Sequence, residues 1–74
     1  MGFNVYPNPT NGMVQIEIAE QAILQIFNSI GVLVSTQDLQ KGLNQIDISQ
    51  FPSGIYFLNG EGETKKYTGK IIKN

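Results

Sequence analysis

Met13-Val14-Gln15-Ile16-Glu17-Ile18 alternates apolar and polar side chains from Val14 onward. In an extended chain successive side chains point to opposite faces, so Val14, Ile16 and Ile18 fall on one side and Gln15 and Glu17 on the other. This is the signature of a half-buried β-strand. Asn44-Gln45-Ile46-Asp47-Ile48 repeats it, with Ile46 and Ile48 inward. Gly54 to Leu58 is apolar throughout and rich in β-formers, which predicts a central strand with both faces partly covered.

Between these runs lies turn chemistry. Pro7 and Pro9 fix φ and lack an N–H, so they end a strand. Asn8, before Pro9, is pushed to extended geometry, and Asn11-Gly12 supplies residues that tolerate positive φ. Asn28-Ser29-Ile30-Gly31 predicts a tight turn with glycine in a left-handed position. Phe51-Pro52-Ser53-Gly54 fits a type I turn, and Asn59-Gly60-Glu61-Gly62 a hairpin tip. Residues 20–30 carry two readings. Ile23, Ile26, Phe27 and Ile30 fall at helical spacing, while Ala22, Leu24 and Ile26 make a strand face. The segment is short, lacks a good N-cap and sits among strands, so it is read as strand.

About seven short strands result, with a turn every 8–12 residues or so, the spacing of an all-β sandwich or barrel. Two antiparallel sheets packed face to face would bury Val5, Val14, Ile16, Leu24, Ile26, Val34, Ile46, Ile48, Tyr56, Leu58, Tyr67 and Ile71. The 74 residues allow one domain, read as residues 3–74, with Met1-Gly2 read as an expression start. A chain this short buries only ~60–65% of its unfolded surface, so the core is thin.

Composition narrows function. There is no cysteine and no histidine, which removes disulfides, thiolate chemistry and the usual general base near neutral pH. A serine triad is excluded. Glu17, Glu20, Asp38, Asp47, Glu61 and Glu63 are scattered, and a thin sandwich offers little cleft to hold two of them as a catalytic pair. Glu61 and Glu63 alone are too few for the ~6–8 oxygens calcium prefers. No catalytic residue, cofactor or metal is expected. Net charge is −1 with 15% charged residues, so no basic field suggests nucleic acid. No apolar run approaches the ~20 residues that span a bilayer, and no secretory leader is expected within the chain. Tyr6, Tyr56, Tyr67, Phe27 and Phe57 are read first as core and rim, and second as a sugar platform. The charges are uneven: Lys65, Lys66, Lys70 and Lys73 crowd the last ten residues. These are either lysines guarding an edge strand or a tag that a partner reads.

Four blocks carry a resemblance. Tyr6-Pro7-Asn8-Pro9 with Asn11-Gly12 resembles the opening of the C-terminal sorting domain of the type IX secretion system. Ile26-Phe27-Asn28-Ser29-Ile30-Gly31 resembles the second block of that family, and Phe51-Pro52-Ser53-Gly54-Ile55-Tyr56 the third. Lys70-Ile71-Ile72-Lys73 is similar to its basic-apolar ending. The blocks stand in the family's order. Ser53 in place of the common alanine, Gly69 within the last strand and Asn74 after the final lysine are departures.

The resemblance implies an immunoglobulin-like sandwich at the end of a larger exported protein. It implies recognition by the outer-membrane secretion machinery and removal by a sortase-type cysteine peptidase, which can anchor the cargo to surface lipopolysaccharide. The chain would pass through the periplasm and reach the cell surface or the medium. The cut falls before the folded domain, so no catalytic group is expected here. Tyr6, Pro7, Asn8, Pro9, Asn11, Gly12, Asn28, Gly31, Pro52, Gly54 and Tyr56 are then structural motif residues. Lys65, Lys66, Lys70, Ile71, Ile72 and Lys73 are candidates for partner recognition. On the last strand, Tyr67 and Ile71 would face the core and leave Ile72 exposed between two lysines, a handle for strand addition. A monomer is favoured. The rival readings are a carbohydrate-binding or adhesive sandwich, with Tyr6, Phe57 and Tyr67 on one surface, and a spacer that pairs through its edge strands.

Overall fold

A computed structural model describes residues 3–74. The reading of Met1-Gly2 as an expression start lies outside the described residues. The chain forms β1 (Phe3–Tyr6), β2 (Met13–Ile18), β3 (Ala22–Phe27), β4 (Leu33–Leu39), β5 (Gly42–Asp47), β6 (Gly54–Gly62) and β7 (Lys66–Lys73). Among the described residues there is no helix, and residues 22–27 are strand. Alternation and β-branched side chains outweigh the competing helical spacing there, because Leu24 and Ile26 find sheet partners on both sides.

The strands make two antiparallel sheets in the order β1-β2-β5 and β4-β3-β6-β7. In chain-order letters these are A-B-E and D-C-F-G, an immunoglobulin-like arrangement in which the fourth strand joins the sheet of C, F and G. The facing sides supply the core. Val14, Ile16 and Ile18 of β2 pack with Ile46 and Ile48 against Leu24, Ile26, Tyr56, Leu58, Tyr67 and Ile71 of the larger sheet. A void of only about 10 Å³, lined from both sheets by side chains such as Val14, Ile46, Ile26 and Leu58, marks the seam. Phe3, Val5 and Phe51 close its rim.

Three features differ from expectation. Val34 is 39% exposed and not core, whereas Leu39, Ile18 and Ala22 are buried. Opposite Ile26 and Phe27 the register jumps from Ser35 to Leu33, so a bulge at Val34 breaks the alternation that Leu33-Val34 suggests. Leu39 then sets the parity of β4. Its inward neighbours, Gln37 and Ser35, satisfy each other by a 3.0 Å hydrogen bond from Gln37 Nε2 to Ser35 Oγ. Second, only one face of β6 is covered: Tyr56 and Leu58 are buried, but Ile55 and Phe57 are more than 40% exposed. Third, two turns shift. Asn59–Gly62 continues β6, and the reversal falls at residues 63–65, where the Gly62 N–H donates to the Lys65 carbonyl. The hydrogen-bonded turn before β6 spans Ile48 to Phe51, three residues ahead of the expected one.

Candidate functional site

The segment after β1 turns away at Pro7, and both proline bonds, Tyr6-Pro7 and Asn8-Pro9, are cis. It then runs along the outer edge of β7. Asn8 Nδ2 donates to the Lys70 carbonyl, and the Ile72 N–H donates to Asn8 Oδ1, each at 2.9 Å. The Thr10 N–H donates to the Ile72 carbonyl at 2.8 Å, and the Asn74 N–H to the Thr10 carbonyl at 2.9 Å. Asn74 Nδ2 reaches Asn11 Oδ1 at 3.0 Å. A parallel bridge pairs Thr10 with Lys73. Residues 8–11 thus hydrogen-bond to 70–74, an intramolecular edge strand built largely from side chains. The expected strand addition along the end of β7 meets an edge already taken there.

Thr10 anchors this clasp. It is 2% exposed, its hydroxyl donates to the Met13 carbonyl at 2.7 Å, and the same oxygen accepts the Gly12 N–H at 3.0 Å. The Gly12 carbonyl in turn accepts the Ile48 N–H at 2.7 Å, and a Cβ on Gly12 would lie 2.9 Å from Ser49 Cβ. Close approach is what demands glycine at this position.

The second and third motif blocks meet at the same pole. Asn28 Oδ1 accepts the N–H groups of Ile30 and Val32 at 3.1 and 2.9 Å, while its N–H donates to the Val32 carbonyl. Gly31 sits at φ +89°, as expected for the left-handed residue of the turn. The Tyr56 hydroxyl donates to the Pro52 carbonyl at 2.6 Å. A tyrosine near the start of the sixth strand, bonded back across the corner, is a fixture of immunoglobulin-like sandwiches. Asn28, Ser29, Ile30 and Pro52 to Tyr56 line one shallow depression, and Gly54 pairs with Lys73. All four blocks therefore gather at one end of the molecule.

The candidate recognition residues divide. Lys70, Ile72 and Lys73 lie at the motif pole, and Ile72 is 39% exposed. Ile71 is 1% exposed and belongs to the core, so its side chain offers no surface. Lys65 and Lys66 stand at the far end of β7, on the order of 20 Å from Lys73 at the usual rise per strand residue. That far pole is held by a group the sequence reading left among the scattered carboxylates. Glu20 accepts the Thr64 N–H (3.2 Å), the Thr64 hydroxyl (2.9 Å) and the Tyr67 hydroxyl (2.7 Å). The Tyr67 hydrogen bond, with help from Thr64, holds the Glu20 carboxyl below its ordinary range, and Glu20 pushes the Tyr67 phenol up. Asp47 is likewise lowered, by Ser49. Partners 44 and 47 positions away leave no local trace in a sequence.

The aromatic side chains do not assemble a sugar platform. Tyr67 is buried with its ring 5.4 Å from that of Phe3, Tyr6 is on the smaller sheet, and Phe57 is on the outer face of the larger one. Among the described residues no three His, Cys, Asp or Glu side chains cluster as metal ligands. Among the described residues no helix is long and apolar enough to cross a membrane.

These observations define a small immunoglobulin-like β-sandwich with its two ends bound together at one pole. The family model described as "Secretion system C-terminal sorting domain" matches residues 4–74, and the chain belongs to that family, the sorting domains of type IX secretion. No curated protein matches the chain. Membership makes the domain a sorting signal for export across the outer membrane, and so implies contact with the secretion machinery.

Proposed function

We propose that residues 3–74 form a non-catalytic, monomeric address module, read as a folded surface while its cargo waits in the periplasm. The reading rests on the family match over residues 4–74, together with the clasp that joins Asn8, Thr10 and Asn11 to Lys70–Asn74. Lys70, Ile72 and Lys73 are the side chains offered to the outer-membrane machinery. Pro7 to Gly12 hold that strand in place rather than touching the partner through a flexible tail. Lys65 and Lys66 keep the distal hairpin soluble. A sortase-type cysteine peptidase then cuts ahead of β1, leaving the cargo anchored at the cell surface or released.

Fusing residues 3–74 to a periplasmic reporter, in a cell that possesses the system, tests this. The expected result is reporter at the surface or in the medium. A reporter that stays in the periplasm refutes the reading. Deleting Lys70 to Asn74 is expected to abolish export, because it removes both the lysines and the strand edge that Asn8 and Thr10 hold.

A further inference from the structure

The outer face of the larger sheet is continuously apolar at the motif pole and mostly polar elsewhere, where Ile23 is an isolated exposed apolar side chain among Asp38, Glu61 and Lys66. Register sets Leu33, Phe27, Phe57 and Lys70 side by side across β4, β3, β6 and β7. Nearer the pole, Ile55 lies opposite Ile72. Leu33 is 46% exposed, Phe57 44%, Ile55 41% and Ile72 39%. Two residues the other way, the row reads Thr36, Gln25, Asn59, Thr68. Single exposed hydrophobic side chains are ordinary, but a stripe crossing four strands, about 14 Å wide at the usual strand spacing, marks a contact surface.

The charge around the stripe is one-sided. Residues 26–36 and 51–59 carry no ionisable acid or base apart from Tyr56, whose hydroxyl is bonded to Pro52. The cation in the stripe is Lys70; Lys73 shares the parity of Ile71 and falls on the other face of β7 at the same pole. The carboxylates of the same sheet, Asp38 and Glu61, lie in the far row with Ile23 and Lys66. Glu20 and Glu63 are at the far pole, and Glu17 and Asp47 belong to the smaller sheet.

We propose that this stripe is the docking surface for a partner protein that presents apolar side chains beside a carboxylate, the carboxylate pairing with Lys70. The proposal rests on the sorting-signal reading and deepens it, by moving recognition from the occupied edge of β7 to the open face beside it. A second copy of the chain is a poor occupant. Two-fold contact through the stripe would desolvate both Lys70 ammonium groups, while the carboxylates of the same sheet, Asp38 and Glu61, stay in the far row. An anionic bilayer is poorer still, because the whole chain carries a net charge of −1 and brings only two lysines to this pole.

The test uses the reporter fusion in a type IX-competent cell, with a photo-crosslinking benzophenone side chain at Phe57 and, as control, at Thr36. The expected result is a protein adduct from position 57 and none from 36. Phe57→Glu and Lys70→Glu are each expected to lower export about tenfold or more, as central contact residues do, and Lys70→Arg to preserve it. Thermal unfolding of each variant guards against misfolding. Where Phe57→Glu melts early, Phe57→Ser and Lys70→Glu carry the comparison. Adducts only with a second copy or with lipid overturn the proposal, as does undiminished export of Phe57→Glu and Lys70→Glu. Retention of the unmodified reporter instead refutes the sorting reading itself.

Discussion

Thr10 buries a hydroxyl, at 2% exposure, and gives that hydroxyl two partners. Valine has nearly the same shape and neither bond. Thr10→Val leaves the Met13 carbonyl and the Gly12 N–H without their partner, at a cost of roughly 1–3 kcal/mol. The expected outcome is a melting temperature lower by about 4–8 °C for each kcal/mol lost, read by circular dichroism. Glu20 acts through charge rather than shape. Its pKa is lowered in the fold, first by the Tyr67 hydroxyl and then by Thr64. The stability it contributes is therefore present above its ordinary value of 4.5 and lost as pH falls through the lower folded value. Tyr67, raised by the same contact, contributes below its ordinary value of 10.0 and loses that contribution as pH climbs through the folded value. Melting of wild type and Glu20→Gln across pH should show a gap at neutrality that narrows and closes as pH falls from 4.5 through the lower folded value. A gap that persists unchanged in acid would contradict the hydrogen bonds of Glu20 to Thr64 and Tyr67. Neither residue stood out in the sequence, because a lone threonine and a lone glutamate earn their roles only from neighbours supplied by distant chain.

At the scale of elements, periodicity was a good guide in β2, β3 and β5. β2 and β5 alternate in sequence as they do in space, and Leu24 and Ile26 settle residues 22–27 as strand. The reading fails where sheet geometry departs from simple alternation. The bulge at Val34 flips an apolar pair outward, and the length of β6 hides in glycines at 60 and 62 that look like a turn. Gly60 is held in the strand by pairing with Leu24 and Tyr67, and glycine suits it because a Cβ there would come within 3.3 Å of Tyr67 Cβ. The β3–β4 connection, in contrast, was legible. Asn28 holds the N–H groups of Ile30 and Val32 on one side-chain oxygen, so a short polar side chain followed by glycine three residues on was a true signal. Asn28→Ala is expected to cost about 1 kcal/mol and to lower the urea midpoint without changing the slope. A slope change would place the effect in the denatured chain instead.

At the scale of the whole molecule, four motif blocks spread over nearly the whole chain converge on one pole, and that convergence gives the family pattern a physical meaning. Proline, asparagine and threonine near the start and a basic-apolar strand near the end form one hydrogen-bonded unit, with the Asn28 turn and the Tyr56 corner beside it. Sequence order alone could list these blocks but not show that the first grips the last. The account stands on that grip, and amide hydrogen exchange of the intact chain reads it most directly. Ile72 and Thr68 have the same parity along β7, so both N–H groups point away from β6. Only the Ile72 N–H meets the Asn8 side chain. The Ile72 amide is expected to be protected, the Thr68 amide to exchange quickly, and Asn8→Ala to raise the Ile72 exchange rate to that of Thr68. Equal, fast exchange at both positions in the unaltered chain would mean that the ends are not joined.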